Sequence, residues 1–277
     1  MSYKQEIFDV FENNASPEEI EWLQKQAEKN TTGIKMAFVG APRFISKKGI
    51  SPFTISVKES NFDVSAANWS LDQLARIYLL LHFDPTDKDS YFSTIESLFL
   101  SADINEAVAL YSALPLLEYR KDWTFRATEA VRTNIGEVFD AIAFGNPFPA
   151  IHFNKQAWNQ LILKCIFNEK SIHRIVGLDE RRNEKLAISI SDFAHERWAA
   201  NRTVPPLIWK LTIPYVNDQI VKDLDYLMKT GDNDNILAAF LVLKASTNSN
   251  GKALLNKQKS KIETLGDTQL TWKYLEK

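Results

Sequence analysis

Residues 146–152 read Asn-Pro-Phe-Pro-Ala-Ile-His, and residues 173–181 read His-Arg-Ile-Val-Gly-Leu-Asp-Glu-Arg. These two loop-like stretches separate three segments in which apolar side chains recur at the spacing of an α-helix: 121–144, 154–168 and 183–201. The two prolines of the first stretch predict an extended connection. The pattern therefore predicts helices joined by short loops, with this part of the chain as its centre.

Outside this centre, capping signals mark further helix starts. The spacing of a capping box, an N-cap side chain followed three residues later by Glu or Gln, occurs at Ser16–Glu19, Ser70–Gln73 and Asp103–Glu106. Residues 31–68 differ, because Gly and Pro punctuate them and no helical period persists. They predict an irregular segment over the surface, with a short strand near Phe53–Val57.

Many short helices with almost no strand predict an all-α fold. Helix pairs that recur at intervals of roughly 40 residues favour a HEAT- or armadillo-like α-solenoid. The lack of a sequence repeat leaves a compact helical array as the alternative. We expect residues 1–68 to form N-terminal helices and an irregular wrapping segment, and 69–277 to form a helical domain, together making one compact unit.

The bulk composition narrows the class of protein. The chain has 277 residues, a net charge of -2 and a pI near 6.1, which disfavours a nucleic-acid partner and leaves a local basic patch open. Its single cysteine, Cys165, lies among apolar residues, so we expect a buried thiol. The N-terminus shows no signal peptide, and the longest apolar run, Ile236–Leu243, is too short to span a bilayer. We therefore expect a cytoplasmic protein.

The predicted helix 121–144 carries a narrow polar stripe on an otherwise apolar surface. Arg126, Glu129, Glu137 and Asp140 share this stripe. One interpretation is a groove for a polar ligand, with Arg132 or Lys164 against an anionic group. The alternative is a ladder of ion pairs within one helix.

The histidines suggest a metal site as a second hypothesis. His152 and His173 lie in the two loops and could bind a metal with Asp179, Glu180 or Asp192. The alternative is that both histidines cap helices or satisfy loop backbone groups. His195-Glu196 begins like a zinc-protease motif, but position 199 is alanine. The sequence contains no nucleophile elbow, so we predict no catalytic residue. We assign no metal ligand and no cofactor, and the metal site stays open as the alternative.

Several motifs, in order along the chain, resemble the EboA family. They are Ala41-Pro-Arg43, Asp103-Ile-Asn-Glu106 with Ala-Val-Ala-Leu-Tyr111, Arg132-Thr-Asn134, Asn146-Pro-Phe-Pro149 with His152-Phe153, Ala157-Trp-Asn159, Gly177-Leu-Asp-Glu-Arg181 and Ala194-His-Glu-Arg-Trp-Ala199. The resemblance is densest over 103–209 and becomes weaker after about 215.

The resemblance implies a role in metabolite traffic. EboA proteins are encoded in a gene cluster associated with moving a metabolite precursor out of the cytoplasm, together with a prenyltransferase and other enzymes. It implies a non-catalytic helical binding or scaffold protein, with a small-molecule metabolite and proteins of the same cluster as partners. The alternative is a metal-assisted enzyme around His152, His173 and Asp179. The resemblance selects, as candidate ligand-binding residues, the polar side chains of the matching motifs: Arg43, Arg132, Asn134, His152, Asn159, Asp179, Arg181, His195 and Glu196.

Overall fold

The computed structural model describes residues 2–263, 265 and 270–276. Its α-helices are α1 Tyr3–Glu12, α2 Pro17–Ala27, α3 Thr31–Gly40, α4 Leu71–Leu80, α5 Lys88–Ser101, α6 Ile104–Ala113, α7 Thr124–Arg132, α8 Gly136–Ala143, α9 Phe148–His152, α10 Lys155–Phe167, α11 Glu184–Ala199, α12 Asp218–Thr230, α13 Asn233–Ala245, α14 Ser249–Lys257 and α15 Lys259–Glu263. Short 3-10 helices cover Ala41–Arg43, Leu114–Leu116, Arg120–Trp123, Ile172–Arg174, Pro206–Tyr215 and Trp272–Leu275.

Strands contribute only one small hairpin to the part of the chain that the structure describes. Strands β1 Thr54–Ser56 and β2 Asp63–Ser65 pair antiparallel, with Ile55 opposite Val64. The predicted all-α class is confirmed, and so is the short strand expected near Phe53–Val57. None of the described helices is long and apolar enough to cross a membrane.

The chain forms two compact units. Unit 1 comprises Met1–Asn154 with Arg174–Val176, and unit 2 comprises Lys155–His173 with Gly177–Lys277. The predicted boundary at residue 68 and the α-solenoid arrangement stay predictions.

The predicted capping residues form local hydrogen bonds at the starts of their helices. The Ser16 hydroxyl accepts the Glu19 amide while the Glu19 carboxylate accepts the Ser16 amide, and Asp103 with Glu106 repeats this arrangement. Ser70 also caps its helix by accepting the Gln73 amide at 3.4 Å. The Gln73 side chain instead donates to the Ser112 hydroxyl at 3.0 Å, which links α4 to α6.

Helix α4 is buried at nine of its ten residues and packs against α1, α3 and α6. Its one cation, Arg76, is 1% exposed. Arg76 binds the Asp72 carboxylate at 3.0 Å one turn earlier and donates from Nε to the Phe38 carbonyl oxygen at 3.1 Å. The ion pair within α4 compensates the buried charge, which would be strongly destabilising without a partner. The hydrogen bond to Phe38 joins α4 to α3.

The prediction that residues 31–68 are irregular is wrong for the first ten of them, which form α3. Asn30 caps this helix by accepting the Gly33 amide at 3.0 Å, and Ile34, Ala37 and Phe38 are buried on one face. Burial of that face outweighs the low helix propensity of the glycines.

The prediction of a single helix over 121–144 is also wrong, because the helix is interrupted between α7 and α8. Thr133 is extended, and its hydroxyl accepts the Ile135 amide at 3.1 Å. Gly136 then begins α8. The predicted extended connection at 146–152 is corrected too, since Phe148–His152 form α9 with Pro149 in its first turn.

In unit 2, α13 packs against the 3-10 helix Pro206–Tyr215, α12 and α14. Every residue of the apolar run Ile236–Leu243 is buried, which explains its composition. Trp158, Trp209 and Cys165 have no exposed surface. The predicted burial of Cys165 is therefore confirmed.

Candidate functional site

The nine predicted ligand-binding residues are distributed over both units. Unit 1 holds Arg43, Arg132, Asn134 and His152, and unit 2 holds Asn159, Asp179, Arg181, His195 and Glu196. Arg43, Arg132, Asn134, His195 and Glu196 are exposed, whereas the other four are half-buried. Their role in ligand binding stays a prediction.

Asn159 lies on α10 and forms an amide pair with Asn183. Asn159 Nδ2 donates to Asn183 Oδ1 at 3.1 Å, and Asn183 Nδ2 donates to Asn159 Oδ1 at 2.8 Å. Asn183 also caps α11 by accepting the Leu186 amide at 3.1 Å. The pair therefore joins α10 to the start of α11.

The loop before α11 is held by charged and aromatic contacts. Asp179 Oδ2 lies 2.8 Å from the Lys210 ammonium, and Arg182 Nε donates to the Asp179 carbonyl oxygen at 2.8 Å. The Arg181 guanidinium lies 5.1 Å from the centre of the Trp158 ring, and burial lowers the pKa of Arg181. These contacts stabilise the loop against α10 and the 3-10 helix Pro206–Tyr215.

His195 belongs to a polar cluster that the sequence motifs did not reveal. Its Nε2 lies 2.7 Å from Oδ1 of Asp223, which is 2% exposed. The Ser191 hydroxyl donates to the other oxygen of that carboxylate at 2.6 Å, and Gln219 Nε2 donates to Oδ1 at 3.1 Å. Because the serine faces the carboxylate and not the imidazole, this is not the geometry of an activated nucleophile.

His152 ends α9, and its ring lies 4.6 Å from the Phe148 ring between centres. Burial lowers the pKa of His152, with smaller contributions from the positive charges of Arg120 and Lys121. The imidazole is thus kept neutral in unit 1.

The proposed polar stripe of helix 121–144 does not survive the break between α7 and α8. Arg126 is bound by the Glu96 carboxylate of α5, to which its Nε donates at 3.0 Å, and by Glu129 at 2.8 Å. The guanidinium also lies 5.1 Å from the Phe99 ring centre. The predicted Arg126–Glu129 ion pair is confirmed, and Arg126 is occupied by neighbours of its own unit.

No group of three or more His, Cys, Asp or Glu side chains among the described residues could hold a metal ion. His152 belongs to unit 1, while His173 and Asp179 belong to unit 2. The metal-site hypothesis therefore gains no support from the arrangement of these side chains.

Unit 2 contains a cavity of about 450 Å³. Its apolar side chains come from several elements: Ile166 of α10, Leu207 and Ile208 of the 3-10 helix Pro206–Tyr215, and Ile172, Val204 and Leu275. The polar side chains at the same cavity are Glu169, Lys170, Ser171, His173, Arg197, Thr203, Asp232, Asp234 and Asn235. Of the residues named in the metal-site hypothesis, His173 lines this cavity.

Asn235 is the unusual polar group of this cavity. Its side-chain Nδ2 and its backbone amide both donate to Asp232 Oδ1 at 2.9 Å. Its Oδ1 is buried and accepts no hydrogen bond from the described residues. Sequence reasoning missed Asn235 because its position reads as the ordinary first turn of a capped helix.

A family model described as the metabolite traffic protein EboA matches residues 3–213. The chain belongs to the EboA family. No curated protein and no solved structure matches. The EboA match includes the cavity residues from Ile166 to Ile208 and ends before Asp232, Asn235 and Leu275, so one wall of the cavity lies beyond the matched region.

Proposed function

We propose that this EboA-family chain is a non-catalytic helical binding protein that serves the cytoplasmic processing or traffic of a small metabolite precursor. The family description supports metabolite traffic as the setting. We place the ligand in the cavity of unit 2.

The size and lining of the cavity support a small organic ligand. Its volume of about 450 Å³ falls within the range of about 300–1,000 Å³ common for small-molecule sites. Apolar and polar side chains both contribute to its walls, and Arg197 lies 3.5 Å from Glu169 at the same cavity. A ligand with an apolar body and several polar groups matches this surface.

The buried Oδ1 of Asn235 carries the proposal. A buried hydrogen-bond acceptor without a donor costs about 1–3 kcal/mol. None of the described residues donates a hydrogen bond to Asn235 Oδ1. After rotation of the Asn235 side chain into the cavity, a ligand hydroxyl or amino group would donate to it. The ligand class is therefore an apolar body that carries a hydrogen-bond donor.

Two matched probes test this chemistry: 2-naphthol has a hydroxyl donor, and 2-methoxynaphthalene is similar in shape but has none. We expect 2-naphthol to raise the melting temperature and to bind, by isothermal titration, about tenfold more tightly than the ether. In the Asn235→Leu variant this preference should disappear. Equal binding of the two probes to the original chain would contradict the proposed contact.

A second variant tests the location. Thr203 is exposed and lines the cavity, so Thr203→Trp should fill part of it from the edge without disturbing the core. Thr230→Trp is the matched control, because Thr230 is exposed in the same unit and does not line the cavity. Only Thr203→Trp should abolish probe binding. If both variants bind 2-naphthol like the original chain, the cavity is not its site.

A further inference from the structure

One segment of this nearly neutral chain carries positive charges without negative ones. Residues 29–58 contain six basic residues and no Asp or Glu, although the whole chain has a net charge of -2. The basic residues are Lys29, Lys35, Arg43, Lys47, Lys48 and Lys58, all exposed except the half-buried Lys35. The segment is therefore a local basic patch.

Helix α3 runs through this patch and is apolar on both of its faces. Ile34 and Phe38 are buried on the inner face. On the outer face, Met36 is 71% exposed and Val39 is 48% exposed. A helix that is apolar around its whole circumference is normally buried on all sides. The outer face of α3 is apolar and yet exposed to solvent.

Neighbouring elements extend this apolar surface. An open groove of about 450 Å³ lies between α3 and α5, with Met36 and Val39 on one side and Leu98 on the other. Leu100 at the end of α5 is 79% exposed. We call the surface formed by Lys35, Met36, Val39 and Arg43 the α3 face.

The cations of the α3 face are available to an external partner. Lys35 and Arg43 both line the groove, and no acidic residue does. Neither forms an ion pair with any described residue. Phe44, which follows Arg43, is 56% exposed and stacks on Trp22 with ring centres 4.9 Å apart. The apolar side chains are thus flanked by Lys35 and Arg43, two cations without an ion-pair partner, and by a stacked aromatic pair.

We propose that the α3 face docks this protein on an anionic lipid bilayer surface. Interfacial helices combine apolar side chains that enter the acyl boundary with Lys and Arg that attract anionic headgroups, and the α3 face has both. A nucleic acid would place phosphates against Met36 and Val39, which offer no hydrogen bonds. This docking goes beyond the proposed ligand binding and does not depend on the cavity in unit 2.

Gly40 allows a test that leaves the fold unchanged. It lies at the end of α3 and lines the groove, and a Cβ added there meets no atom within 4 Å. Gly40→Glu and Gly40→Lys therefore place opposite charges at the same open position. Each added charge should change bilayer affinity about fivefold, the first downwards and the second upwards.

The measurement is co-sedimentation of the full chain with vesicles of phosphatidylcholine alone or of an equal mixture with phosphatidylglycerol. The chain should bind the mixed vesicles and bind the neutral ones far more weakly. Binding should fall when NaCl rises from about 0.1 M to 1 M, which shortens the screening length from about 10 Å to about 3 Å. Met36→Gln should weaken binding about fivefold, whereas Ile188→Gln, a control at a 43% exposed position of α11, should not.

Three results would overturn the proposal. One is equal binding of Gly40→Glu and Gly40→Lys to the mixed vesicles. Another is binding of monomeric dodecyl phosphate without vesicle binding, which would make the groove a small-ligand site. A third is a dimer in light scattering that Gly40→Glu dissociates while vesicles remain unbound, which would assign the α3 face to a second copy. Binding of 2-naphthol in the other unit is independent of all three.

Discussion

The imidazole of His195 holds the buried carboxylate of Asp223, with 2.7 Å between Nε2 and Oδ1. Asp223 is 2% exposed, whereas the His195 side chain is 43% exposed. The carboxylate also accepts the Ser191 hydroxyl, so α11 and α12 meet at one buried acceptor. The functional candidate His195 is therefore the outer member of a structural cluster.

We expect Asp223→Ala to cost about 2–4 kcal/mol of unfolding free energy, because it leaves the buried Ser191 hydroxyl without its acceptor. His195→Ala should cost less than about 1 kcal/mol, since water can replace an exposed imidazole. Urea denaturation of both variants measures the difference. A larger loss for His195→Ala would contradict the structural ranking.

The amide pair of Asn159 and Asn183 leads to a prediction about α10. Asn159→Ala removes both reciprocal bonds and should cost about 1–2 kcal/mol. Gln160→Ala is the control, because the next residue along α10 is exposed and should change stability by less than about 0.5 kcal/mol. Similar denaturation midpoints for the two variants would show that the pair contributes little.

Substitution of two asparagines of the family motifs should have very different effects on the free energy of unfolding. Asn146 is 3% exposed, donates to the carbonyl oxygens of Tyr111 and Ala141, and accepts the Phe148 amide. Asn146→Ala should cost about 3 kcal/mol because it leaves buried backbone groups unpaired. Asn134→Ala, at an exposed position between α7 and α8, should stay within about 0.5 kcal/mol. Thermal and chemical unfolding distinguish these outcomes.

Two histidines of unit 1, His82 and His152, should lower the free energy of unfolding in mild acid. Burial lowers the pKa of His82 and of His152, so both bind a proton more readily in the unfolded chain. Their contribution is present above the unfolded pKa of about 6.5 and is lost as the pH falls towards the folded pKa.

Melting temperatures between about pH 8 and pH 5.5 test this histidine contribution. The decline should be shallower in His152→Gln and shallowest in the double variant with His82→Gln. An unchanged pH profile in the double variant would assign the acid sensitivity to other groups.

Local signals were enough to predict the fold class and many helix ends. Ser16 and Asp103 cap their helices through bonds to residues three positions away, which a sequence displays directly. The break at Thr133 was missed because the apolar period continues across it with little change. Helix α3 was missed because Gly33 and Gly40 obscured a face that tertiary burial stabilises.

The candidate sites were less predictable because they depend on distant pairings. Asp223 meets His195 across 28 residues, and no local pattern marks a residue as its partner. The cavity in unit 2 needs α10, the 3-10 helix Pro206–Tyr215 and α13 in their folded arrangement. Motif resemblance selected Asn159 and Asp179, and the contacts of both within unit 2 are structural ones.

The burial of Cys165 has a practical consequence for spectroscopy. This thiol is the only one in the sequence and has no exposed surface. A cysteine introduced at the open position of Gly40 would therefore be the single reactive thiol of the folded chain, with no need to remove the native one. An environment-sensitive dye or a spin label attached there would report the polarity and immersion depth of α3 directly.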